Sequence, residues 1–163
     1  MGNSEAKQRG QLLYTIQSNC GYWFKNKQIL EEALTHDSCR LTNPEILTYE
    51  RLEYLGDSFL GWIITDYLFR KYLSDNEGDL SRKRSDLVSS SMQRKIADKL
   101  RIDEYIKFDK SVQNQNSGQA FRKYDKFVEA LIGGIYIDGG FEKAKSIVYN
   151  LWGLDELGSC IIC

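Results

Sequence analysis

Glu50-Arg51-Leu52-Glu53-Tyr54-Leu55-Gly56-Asp57 is the stretch that decides how this chain is read. Its three carboxylates stand at i, i+3 and i+7, on one face of a helix. Leu52, Leu55, Phe59 and Leu60 beside them read as core. Like charges stacked on one face repel, so a plain surface helix gains nothing from them. A hard divalent cation such as Mg²⁺ would neutralise them, because it takes oxygen ligands. Acids at the margin of an apolar helix therefore point to a site more than to a solvated face.

Working outward, the periodicity predicts an all-α fold. Helices are expected over 5–18, after Lys27 with Ile29, Leu30, Ala33 and Leu34 as the apolar stripe, and over Tyr49–Leu73, the longest pattern and the expected central, most buried helix. Residues 37–48, around the single proline Pro44, read as a loop. Asp75-Asn76-Glu77-Gly78-Asp79 reads as a turn, and Ser81 as the N-cap of one helix running to about Leu100. Tyr105, Ile106 and Phe108 are expected to pack inward, and the polar stretch 111–118 has little to bury. A further helix is expected from about Phe121 to Ile137, stopped by Asp138-Gly139-Gly140, and a last one over Phe141–Trp152.

The composition is that of an ordinary globular protein, 42% hydrophobic and 28% charged, and 163 residues suffice for one domain with a real core. No apolar run is long enough to span a bilayer and no export signal opens the chain, so a cytoplasmic or nuclear location is expected. A net charge of −1 excludes nucleic-acid binding by bulk positive charge; such binding would need local basic patches or metal ions. Four widely spaced cysteines argue against a disulfide scaffold, and Cys160-Ile161-Ile162-Cys163 reads as a weakly structured apolar tail.

Taken in order, the blocks of this chain resemble a ribonuclease III endonuclease domain. Gly21-Tyr22-Trp23-Phe24 with Ala33-Leu34-Thr35-His36 resembles the opening helices, and Glu50–Asp57 the family signature. Gly78-Asp79-Leu80-Ser81 with Arg84-Ser85-Asp86-Leu87-Val88, and the block from Glu129 to Gly140, complete the match. The resemblance implies a helical homodimer that hydrolyses phosphodiesters of double-stranded RNA with Mg²⁺, or with Mn²⁺. It divides the chain into an N-terminal helix or extension (1–20), a catalytic domain (20–153) and a tail (154–163), with no double-stranded-RNA-binding domain among these residues. No membrane partner is expected.

Residue by residue, the resemblance implies that Glu53, Asp57 and Glu129 are catalytic, metal-binding acids and that Glu50 supports the signature. The fourth family acid should stand three residues before Glu129, where this chain has Lys126. An ammonium there would repel Mg²⁺ and could pair with Glu53, Asp57 or Glu129, so weaker metal binding is expected. Asp125 is the candidate substitute, although it lies about 100° around the helix from Lys126 and reads more simply as a solvated residue. Arg82, Lys83, Arg84, Arg122 and Lys123 are candidate contacts to RNA backbone, and Arg94 and Lys95 read equally well as solvated charge. Leu52, Tyr54, Leu55 and Phe59 carry the dimer expectation, with Tyr54 or Phe59 entering a partner's socket. His36, the only histidine, is given no catalytic role. The alternative left open is an inactive ribonuclease III-like module that binds RNA or a protein partner.

Overall fold

The computed structural model describes residues 2–113 and 124–154. Arg122, Lys123, most of the polar stretch 111–118 and the Cys160–Cys163 tail lie outside them. Eight α-helices are described: α1 (Gly2–Cys20), α2 (Lys27–Ala33), α3 (Glu50–Lys71), α4 (Glu77–Leu87), α5 (Ser90–Leu100), α6 (Lys110–Gln113), α7 (Asp125–Gly139) and α8 (Phe141–Trp152). Short 3₁₀ turns cover Asp37–Leu41 and Ile102–Glu104. The described residues contain no strand; Thr35 and Lys107 form an isolated parallel bridge.

α1 lays Leu13, Ile16 and Cys20, spaced i, i+3 and i+7, into the same core as the other helices. Arg9 ties its outer half down, with Nη2 2.8 Å from Glu31 Oε2 and Nη1 donating to the Tyr105 carbonyl at 2.5 Å. Asp138, at the far end of α7, accepts hydrogen bonds from the Tyr22 hydroxyl and from the backbone N–H of Lys25 and Asn26. That one carboxylate fixes the segment between α1 and α2.

α3 packs most extensively against α7. Two glycines let the backbones touch. A Cβ on Gly56 would fall 1.9 Å from the Glu129 carbonyl oxygen, and one on Gly133 would fall 2.2 Å from the Leu52 carbonyl oxygen. No other residue type fits at this crossing without moving a helix. α7 is the most enclosed helix, buried on every side from Phe127 through Ile135. It stops at Gly140, whose φ of +80° suits glycine.

Two expectations need correction. The helix expected over 81–100 is two helices. Ser89 turns extended and its hydroxyl accepts from Met92 N at 3.2 Å, capping α5, while Asn76 rather than Ser81 caps α4. In Val88-Ser89-Ser90-Ser91 the serine hydroxyls compete for backbone donors, and a new N-cap wins over continuation. Secondly, α3 is long and central but not the most buried helix. Tyr54, Trp62, Phe69 and Leu73 are exposed along one side of it and its C-terminal extension.

Candidate active site

The α3–α7 crossing sets two acids of one helix against one acid of the other. Glu53 and Asp57 lie one turn apart on α3, and Gly56 between them is the residue that touches the Glu129 backbone. Glu129 is buried within α7. Its Oε1 accepts a 2.7 Å hydrogen bond from Gln93 Nε2 on α5, while its Oε2 is buried without a hydrogen bond. Burial pushes the Glu129 carboxyl up to about 7, with Asp57 and Glu53 adding to the rise and the Gln93 bond and Lys126 opposing it. Gln93 is anchored in turn by donating to the Val88 carbonyl at 3.0 Å.

Lys126 reaches into the cluster from the first turn of α7. Its Nζ is 2.5 Å from Glu53 Oε1 and 3.7 Å from Glu129 Oε2. The hydrogen bond to Glu53 holds the ammonium above its ordinary pKa, against the opposing effect of burial. The expected pairing with Glu53 and Glu129 is present. Asp57 is exposed.

Do these residues fit a divalent cation? The donor chemistry is right, since the acids are all-oxygen and one buried oxygen of Glu129 lacks a hydrogen bond. The arrangement is not. The ammonium stands between the α3 acid and the α7 acid, so a positive charge already occupies the space among the carboxylates. Among the described residues, no three His, Cys, Asp or Glu side chains are placed to hold a metal together. The expected Mg²⁺ shared by Glu53, Asp57 and Glu129 does not fit these side chains as they are arranged. Asp125 does not repair this, because it joins no such group. It is not the solvated residue expected either: it is buried, and its Oδ1 has no hydrogen-bond partner.

A ribonuclease-III-like family model matches residues 26–152, most of the chain. The chain belongs to the ribonuclease III-like family. It is 40% identical over 140 residues to the ribonuclease 3 of Wolbachia sp. subsp. Brugia malayi, covering 85% of this chain and 58% of that relative. With the ribonuclease 3 of Helicobacter pylori strain P12 it shares 36% identity over 137 residues, 84% of this chain and 56% of the relative. The chain thus spans less than two thirds of the length of these curated relatives. Among solved structures, the nuclease domain of ribonuclease III from Campylobacter jejuni matches with a TM-score of 0.76 at 36% identity, covering 85% of this chain and 94% of that one. The family match begins after α1, which nonetheless shares the core.

The remaining expected residues of this ribonuclease III-like chain are scattered. Glu50 turns to the neighbouring loop, where its Oε2 accepts from Arg40 Nη1 at 2.6 Å and from Thr48 Oγ1 at 3.2 Å. Leu52 and Phe59 are spent inside the protomer, Phe59 packing against Tyr136 and Phe141. Tyr54 is 79% exposed and Leu55 half-buried, so of the two candidate aromatics Tyr54 alone faces solvent. Arg82 pairs with Asp79. Lys83 pairs with Asp75 and lies over the Tyr72 ring, 3.7 Å from its centroid. The Arg84 guanidinium rests against Gly61, and with Leu68, Phe69 and Leu80 it lines a cavity of about 290 Å³ between α3 and α4. His36 stacks near Tyr49 and Phe127 and its Nδ1 accepts from Ser38 N, a local capping role.

Gln93 is a site residue that the sequence reading did not single out. Its signal was there: Gln93, Ile96, Ala97 and Leu100 stand at i, i+3, i+4 and i+7, which makes the glutamine a polar residue on a buried stripe. A buried amide needs a partner, and here it is Glu129.

Proposed function

We propose that this chain is the nuclease part of an endoribonuclease that hydrolyses phosphodiesters of double-stranded RNA as a homodimer. The observation that carries the reading is Glu53, Asp57 and Glu129, held together by the Gly56–Gly133 crossing in a chain that matches the family over residues 26–152. Each side chain has a defined task. Gln93 orients Glu129. Asp57, exposed one turn beyond Glu53, can take a proton from an attacking water. Lys126 carries the positive charge of the cluster towards an incoming phosphate. The family implies a divalent cation that would polarise the phosphate, but Lys126 already pairs with the acids that would hold it.

The homodimer is supported by the open side of α3. Tyr54, Trp62 and Phe69 are more than half exposed and fall within one quarter-turn of the helix, with Leu73 just beyond its end. The Campylobacter jejuni nuclease domain has a region involved in dimer formation. An isologous pairing through this side would cover the stripe.

The ion pair of Lys126 with Glu53 favours a second reading, a non-catalytic module of the same fold that binds RNA or a protein. A long RNA duplex incubated with the chain in Mg²⁺ or Mn²⁺ separates the two. Internal fragments that disappear with Glu129→Gln support the endoribonuclease. Binding without scission supports the module.

A further inference from the structure

We propose that Lys126 is a catalytic residue, a tethered ammonium that takes the place of the divalent cation against the substrate phosphate, so that this chain cleaves RNA without a bound metal. The inference rests on the endoribonuclease reading above and goes beyond it.

The position of Lys126 is costly by itself. It lies in the first turn of α7, where the helix dipole disfavours a cation. It stays because acids of two helices surround it, with Glu53 Oε1 at 2.5 Å and Glu129 Oε2 at 3.7 Å. The ammonium thus ties α3 to α7 through their acids. Glu129 also depends on it, since its Oε2 is buried without a hydrogen bond and the ammonium is the cation beside it. A second cation in the same few ångströms would be repelled by the first. An ammonium has three N–H donors, of which the Glu53 contact uses one. The Lys126 side chain remains 40% exposed, so the group is partly open to an approaching phosphate oxygen.

The proposed step balances without a metal. The oxygen of water bonds to phosphorus and its proton passes to the exposed Asp57 carboxylate. The bond from phosphorus to one bridging oxygen breaks, and that oxygen leaves with a proton from solvent. Lys126 stays charged throughout and donates to a non-bridging oxygen, where negative charge develops. Solvent then takes the proton from Asp57, and one water has been consumed.

The test uses the whole chain, a long RNA duplex, and buffers containing either excess EDTA or Mg²⁺, with Mn²⁺ binding measured separately by electron paramagnetic resonance without RNA. The wild-type chain is expected to cleave in EDTA and to bind Mn²⁺ weakly. Lys126→Met should lose about 100-fold or more of the EDTA rate, and Lys126→Arg should retain part of it. Lys126→Asp should be silent in EDTA but bind Mn²⁺ at least about tenfold more tightly than wild type, since it exchanges a repelling charge for a ligand. Wild-type cleavage that appears only with Mg²⁺, or Mn²⁺ binding as tight in wild type as in Lys126→Asp, overturns the inference and leaves the endoribonuclease reading standing. Equal EDTA rates for wild type and Lys126→Met overturn it too. Absence of cleavage in both buffers overturns both readings.

Discussion

Gly56 of α3 lies so close to Glu129 of α7 that a Cβ there would stand 1.9 Å from the Glu129 carbonyl oxygen. This contact makes the site a product of helix packing. Glu53 and Asp57 flank Gly56 on the same helix, and Glu129 supplies both the backbone that meets the glycine and the carboxylate that joins the acids. Gly56→Ala should therefore force the helices apart and destabilise the fold by ~3 kcal/mol or more, the upper range for overpacking. Gly133→Ala, whose Cβ would meet the Leu52 carbonyl at 2.2 Å, should behave alike. Gly10→Ala, in open space on α1, should instead be neutral or slightly stabilising. Denaturant unfolding of the three variants checks the ordering.

Gln93→Leu should loosen Glu129. The substitution removes the 2.7 Å hydrogen bond and leaves Lys126 alone to oppose the effect of burial on the carboxyl. The loss is expected at about 1–3 kcal/mol. Because the Gln93 bond lowers the Glu129 pKa, its removal should raise that pKa further. Carboxyl-carbon NMR titration of Glu129 in wild type and variant reads the direction.

Stability should fall as pH rises from about 4.5 to about 7. The Glu129 carboxyl has an ordinary value of 4.5 and is raised to about 7 by burial. Between those values the folded state holds a proton that the unfolded state has released, so the slope of unfolding free energy with pH is negative. The stabilisation is fully present below the unfolded pKa and is lost as pH passes through the folded pKa. The full effect is at most about 3 kcal/mol. Chemical denaturation across this range should show wild type losing stability relative to Glu129→Gln, which cannot ionise at this position. Parallel curves for the two proteins would contradict the assignment.

The open side of α3 predicts the oligomeric state. Tyr54→Glu or Phe69→Glu places a charge on the exposed stripe, where both rings are more than half exposed. Either should shift sedimentation from dimer to monomer at micromolar concentration while helical circular dichroism stays unchanged. Phe59→Glu should instead unfold the chain, because Phe59 lies in the protomer core against Tyr136 and Phe141.

Much of this was legible in the residues. The i, i+3, i+7 spacing of Glu50, Glu53 and Asp57 located α3 and its acidic face, and Asp138-Gly139-Gly140 marked the end of α7. The departure at Lys126 was visible as a charge of the wrong sign. What was not legible depends on distances between elements. That Lys126 would stand between Glu53 and Glu129 needs the crossing geometry, which Gly56 and Gly133 set by the absence of a side chain. Asp125 reads as solvated from the sequence because helical spacing places it near Glu129 without saying which side of α7 is covered. Phe59 and Tyr54 both looked available to a partner, and only packing separates them: one meets Tyr136 and Phe141, the other meets solvent. The α4–α5 break was hidden because an apolar stripe runs on while Ser89 interrupts the backbone.

The most direct measurement follows a 5′-labelled long RNA duplex over time with the wild-type chain and with Asp57→Asn in Mg²⁺-containing buffer. Asp57 is exposed, so its replacement should leave the fold intact and report on chemistry alone. Discrete internal fragments from wild type, reduced at least about 100-fold by Asp57→Asn, are the predicted result. Fragments that persist unchanged in the variant, or a wild-type chain that binds the duplex and never cuts it, would contradict the account.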